Sequence, residues 1–109
     1  MKNSNDYVYR IFSLLEFEIF KKKKKFYGNK LDLKSGFIHL SKKGQLKETL
    51  KRYFKNDRDL VIAEFRVDKL SKSLRWEVSR NNEVFPHLFS ELEYNWLNKV
   101  YKKDYVHDI

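Results

Sequence analysis

Leu60-Val61-Ile62-Ala63-Glu64-Phe65-Arg66-Val67 constrains the fold more than any other stretch of this 109-residue chain. β-Branched and aromatic residues crowd it, and its first half is apolar on both faces. A strand of that kind needs a neighbour on each side and packing above and below, so it predicts the middle of a sheet. Tyr7-Val8-Tyr9-Arg10-Ile11-Phe12 has the same character and puts Tyr7, Tyr9 and Ile11 on one face, which makes it the first candidate partner. Leu74-Arg75-Trp76-Glu77-Val78 also alternates, with Leu74, Trp76 and Val78 on one face and Arg75 and Glu77 on the other. A further strand is expected over about residues 97–103. Val84-Phe85-Pro86-His87-Leu88-Phe89 holds the only proline, which restricts it to a sheet edge or an extended loop.

Two helices accompany these strands. Ser13-Leu14-Leu15-Glu16 is a capping-box pattern, in which Ser13 and Glu16 satisfy each other's amide donors at a helix start. The helix is expected to run to about Lys24, with an apolar stripe of Leu14 and Phe17 widened by Leu15 and Ile19. Its lysines then fall at the C-terminal end, where the helix dipole favours cations. Phe26-Tyr27-Gly28-Asn29 stops it, and residues 31–36 read as an ordered loop. Ser41 is placed to cap a second helix, with an apolar face of Leu46, Thr49, Leu50, Tyr53 and Phe54. Asp68 to Ser73 is a turn or short helix. Strands that do not alternate regularly with helices imply an α+β fold, mainly antiparallel. One domain is expected over residues 1–109, with its core at about 7–103 and a mobile tail through His107.

Composition removes several functions. There is no cysteine, hence no disulfide, thiolate metal site or cysteine nucleophile. Only three glycines occur, too few for a Rossmann dinucleotide fingerprint. No apolar run approaches a membrane span and no signal peptide is visible, so a cytoplasmic monomer away from membranes is expected. The net charge of +9 suits nucleic acid, but Lys21 to Lys25 supply five of those charges, and the remaining +4 forms no stripe.

Chemistry concentrates around Gly36-Phe37-Ile38-His39-Leu40-Ser41. In an extended chain Phe37, His39 and Ser41 point one way while Ile38 and Leu40 point the other. His39 then reads either as a satisfied core histidine or as a ligand contact, and Ser41 as a helix cap or a site hydroxyl. His39, Glu77 and His87 each combine titratable chemistry with apolar surroundings, and a sheet can bring all three together. Glu77 beside Trp76 suits a partly desolvated carboxylate able to polarise a hydroxyl or face a developing cation, or else an ion pair with Arg75 or Arg66. No metal is expected, because neither histidine has a close ligand partner in sequence. Nothing resembles a nucleophile elbow.

Gly36-Phe37-Ile38-His39-Leu40-Ser41, Gln45, Asp59-Leu60-Val61, Leu74-Arg75-Trp76-Glu77 and Phe85-Pro86-His87-Leu88 resemble, in order and spacing, a small bacterial family named domain of unknown function nine hundred and fifty-two. The resemblance covers roughly residues 7–103. Ser35 stands where that family usually has an acidic residue, and Phe89 where it usually has tyrosine. The family's fold is similar to the ADP-ribosyltransferase superfamily, which includes RNA 2′-phosphotransferases and holds nicotinamide dinucleotide (NAD) in the cleft of a split sheet. The resemblance implies an ADP-ribosyltransferase-like transferase with NAD or another nucleotide as its small-molecule substrate. It further implies that His39 binds a ribose hydroxyl and Ser41 supports the neighbouring ribose or nicotinamide. Gln45 and Trp76 join them as ligand-binding residues, and Glu77 and His87 as catalytic ones. Leu40 stands where the superfamily often has glycine. Two alternatives stay open: a non-catalytic nucleic-acid-binding module using Lys21 to Lys25 and Tyr27, and a protein-interaction domain.

Overall fold

The computed structural model describes residues 6–57, 59–104 and 109. Strand β1 (Tyr7–Ser13) runs into helix α1 (Leu14–Lys23), the short strand β2 (Lys25–Phe26), helix α2 (Lys30–Ser35), the short strand β3 (Ile38–His39) and helix α3 (Leu46–Tyr53). Strand β4 (Leu60–Arg66), the one-turn helix α4 (Val67–Leu70) and strands β5 (Leu74–Val78), β6 (Val84–Leu88), β7 (Leu92–Glu93) and β8 (Leu97–Lys102) follow. The expected mobile tail through His107 lies outside the described residues. Among those described, no helix is long and apolar enough to cross a membrane.

The fold is α+β and its strand pairs are antiparallel. One sheet has the order β1-β4-β8, a second β3-β6-β5, and β2 pairs with β7. As its two-sided apolar pattern demands, β4 is central and buried from Leu60 to Phe65. Phe12, Ala63 and Phe65 face one core cluster with Phe20 of α1, while Tyr9, Ile11 and Ile62 face another with Leu46 and Leu50 of α3. The two larger sheets meet at one backbone bridge, where Tyr9 and Ser41 exchange N–H···O bonds of 2.9 Å each. A cleft opens beside that junction.

Several expectations need correction. Residues 30–35 form a helix rather than a loop: Asn29 and Asp32 make a capping box, and Gly36 closes it at φ 85°. Ser41 caps nothing, because its backbone is committed to Tyr9 and α3 starts only after a 3₁₀ turn at Lys43–Gln45. In α1 the buried pair is Phe17 and Phe20, packed on Phe12, whereas Leu14, Leu15 and Ile19 are exposed. Pro86 sits in the central strand of its sheet, not at an edge. In an antiparallel strand N–H and C=O of one residue face the same neighbour. The Pro86 carbonyl accepts from Leu40 N at 3.2 Å just past the end of β3, so the missing amide costs one bond at a ladder's end and none toward β5.

Candidate functional site

The cleft at the sheet junction has a volume of about 430 Å³. Tyr9 and Arg10 of β1, Asp32 of α2, His39, Ser41 and His87 form part of its wall. Thr49 and Tyr53 of α3, with Ser79, Arg80 and Phe85 from the β5–β6 hairpin, line it too.

His39 and His87 are cross-strand partners in the β3–β6 register, with ring centroids 5.8 Å apart. Side chains on facing residues of an antiparallel pair share a face, and that pairing brings the two imidazoles together. Phe37, two residues from His39, lies on the same face and stacks on His87 at 3.9 Å. Each histidine is anchored through Nδ1 to a carboxylate: His39 to Asp32 Oδ1 at 2.7 Å, His87 to Glu77 Oε1 at 2.8 Å. Glu77 therefore pairs with His87 rather than with Arg75 or Arg66; Arg66 pairs with Asp68.

Asp32 is the hub. It is buried, yet it accepts from the amides of Asn29 and His39 and pairs bidentately with Arg10, at 3.1 Å and 2.9 Å. Burial alone would raise its pKa, but the His39 hydrogen bond and the Arg10 charge outweigh that and hold the carboxyl well below the usual range. An ionised Asp32 has no proton to give, so Nδ1 of His39 is the donor in this bond, which leaves Nε2 for other partners. Arg10 also donates to the His39 carbonyl at 2.9 Å, which fixes the strand as well as the carboxylate. Arg10 and Asp32 are not residues the sequence singles out. The only local signal for Asp32 was its spacing from Asn29, three residues apart as a capping box requires.

The expected site residues separate into two groups. His39, Ser41 and His87 line the cleft, and Glu77 reaches it only through His87. Trp76 pairs with Pro86 on the opposite face of β5, away from Glu77, and is 39% exposed. Gln45 is buried as a strut: its Nε2 donates to the Val84 carbonyl and its Oε1 accepts from Lys42 N. Lys24 lies over the Tyr94 ring at 4.8 Å, and Lys25 is paired with Glu93 at 3.6 Å.

The sequence pattern of the family described as Protein of unknown function (DUF952) matches residues 11–100. The chain belongs to this family. The crystal structure of protein CC0527 from Caulobacter crescentus is similar at 33% identity and a TM-score of 0.84, over 88% of this chain and 84% of that one. Its solution NMR structure is similar at 34% identity and a TM-score of 0.79, over 87% and 82%. No curated protein matches the chain. The DUF952 family thus accounts for the paired signatures around His39 and His87, whose strands the structure joins in one register.

Proposed function

We propose that the cleft binds a nucleotide-type ligand and that His39 and His87 handle protons during transfer of a group at its ribose or phosphate. The observation that carries this reading is the pair of facing imidazoles, each tied through Nδ1 to a carboxylate, in the wall of one cavity. Such anchoring selects the tautomer and leaves each Nε2 for a ligand, the arrangement general acid–base catalysis requires. His39, whose side chain is 33% exposed, is the one open to incoming ligand; His87, 5% exposed, backs it from beneath Phe37. Glu77, outside the cavity wall, is a positioning residue for His87. The volume falls in the range of small-molecule sites, roughly 300–1,000 Å³.

The family resemblance makes NAD the first substrate to test. In ADP-ribosyl transfer the bond between ribose C1′ and the nicotinamide nitrogen breaks, and its electron pair neutralises the pyridinium charge. An acceptor hydroxyl forms the new C1′–O bond and passes its proton to Nε2 of His39. Positioning and electrostatics supply the rest of the rate enhancement.

An NMR titration of the labelled full chain with NAD and with AMP tests the reading. Saturable shifts at the His39 and His87 rings, lost in His39→Ala at an unchanged melting temperature, are expected, with nicotinamide release as the following assay. No movement at millimolar ligand would overturn the nucleotide reading. An equal loss of stability in His39→Ala would return His39 to the role of a core residue.

A further inference from the structure

Two arginines line the cleft, and they are not equivalent. Arg10 is neutralised by Asp32 through two contacts. Arg80 is half-buried in the wall, yet it has no carboxylate partner among the described residues. Its interactions are one hydrogen bond from Nη2 to Thr49 Oγ1 at 3.0 Å and two ring contacts, with Tyr53 at 5.2 Å and Phe85 at 4.9 Å. Its Nε, like that of Arg10, is buried without an acceptor, so what separates the two is the carboxylate that only Arg10 has. A guanidinium carries five N–H donors, and only one hydrogen bond from this one to the described residues is seen.

The chain nonetheless invests in placing it. Arg80 opens a 3₁₀ turn in which Asn81 and Asn82 both hold left-handed conformations, at φ 57° and 60°. That turn docks on α3 through Arg80 to Thr49 and through Asn81 Nδ2 to Glu48 Oε1 at 3.3 Å. Aromatic rings on both sides then restrict where the guanidinium can go.

We infer that Arg80 is the anion-recognition residue of the cleft and takes a phosphate of the ligand, an inference that rests on the proposed function. Its place in the cleft wall is set by its contact with Phe85. Phe85, which the guanidinium touches, and His87 lie on the same face of β6, two residues or ~7 Å apart along the strand. In this placement the phosphate of a 5′-phosphorylated ribose meets Arg80 and its hydroxyls lie toward His39 and His87. Guanidinium groups suit this task, since their planar fork meets two phosphate oxygens at once.

The test follows the Arg80 side-chain Nε–H signal and the two histidine rings in the ¹⁵N-labelled full chain. Pyrophosphate alone should shift Arg80 saturably. AMP should bind at least about tenfold more tightly than adenosine, and Arg80→Gln should erase that preference while leaving adenosine affinity unchanged. Arg80→Lys, which keeps charge but not the fork, should retain part of it. Pyrophosphate that leaves Arg80 unmoved, or equal affinities for AMP and adenosine, would overturn the inference. If adenosine still moves His39 in that case, the proposed function stands without it. If pyrophosphate binds at Arg80 while neither AMP nor adenosine moves His39, the anion site stands and the nucleotide reading falls. Should Arg80→Gln not fold, the wild-type titrations decide alone.

Discussion

His39 and His87 face one another across β3 and β6 with ring centroids 5.8 Å apart, and each is held from behind by a different carboxylate. The two anchors differ in kind. Asp32 is buried in a network with Arg10, whereas the Glu77 side chain is 42% exposed and meets His87 from the protein's surface. Their removal should therefore have different consequences.

Asp32→Asn leaves Arg10 buried with its charge uncompensated and gives His39 an amide in place of its carboxylate anchor. Breaking a buried pair by removing one partner costs about 3–5 kcal/mol. We expect a loss of that order in urea denaturation at neutral pH, together with loss of ligand response at His39. A change below about 1 kcal/mol would mean that the network is more hydrated than its burial suggests.

Acid should act through the same group. The folded-state pKa of Asp32 lies below its ordinary 3.8, so its contribution to stability is complete above that pH and is lost as pH falls beneath it. Comparing urea midpoints at pH 7 and in the acid range below 3.8 should show a steeper decline for the wild type than for Asp32→Asn. Parallel declines would place the acid sensitivity elsewhere.

The parts of this arrangement visible in the sequence were those with a strong local period or cap. β4 was legible because its apolar residues occupy both faces, and the start of α1 because Ser13 and Glu16 stand at capping-box spacing. His39 and His87 stood out as titratable groups among apolar neighbours, although nothing local shows that their strands pair in register. Helix α2 was not legible, since Leu31-Asp32-Leu33 alternates like a strand and six residues are too few to show a helical period. Nothing local marks Arg10 as buried; the carboxylate of α2 and the carbonyl of β3 that hold it are distant in sequence. The resemblance implies a ligand contact for Trp76, but the strand's alternation puts it opposite Pro86 on the face away from Glu77.

The two glycines flanking α2 separate conformational strain from steric contact. Gly36 has φ +85° and open space where a Cβ would go, so Gly36→Ala should cost only the left-handed penalty, about 1–2 kcal/mol. Gly28, at φ +108°, would place a Cβ 2.7 Å from Cβ of Asp32. Gly28→Ala should cost more than Gly36→Ala and also perturb the His39 ring signals through Asp32. Equal costs with an undisturbed His39 would count against close packing of this turn on the site.

The lysine run offers a control. Lys21, Lys22 and Lys23 occupy the last turn of α1 and are not among the residues that line the cleft. Replacing all three by Gln removes favourable dipole interactions of a few tenths of a kcal/mol each and should leave AMP affinity unchanged at physiological salt. A large drop in affinity for single-stranded RNA, with a steep salt dependence in the wild type, would instead support the nucleic-acid-binding alternative.

Glu77→Gln isolates the function of the exposed anchor. Because the pair is open to water at its carboxylate, stability should change by less than about 1 kcal/mol. The amide still reaches Nδ1 but presents either an oxygen or an NH₂ group, so the tautomer of His87 is no longer selected by a carboxylate. The ¹⁵N shifts of the His87 ring should therefore report a changed tautomer ratio at constant fold, and any transferase activity should fall mainly in kcat, with little change in KM. Unchanged ring shifts would show that Phe37 stacking, rather than Glu77, sets the state of His87, and Glu77 would lose its positioning role.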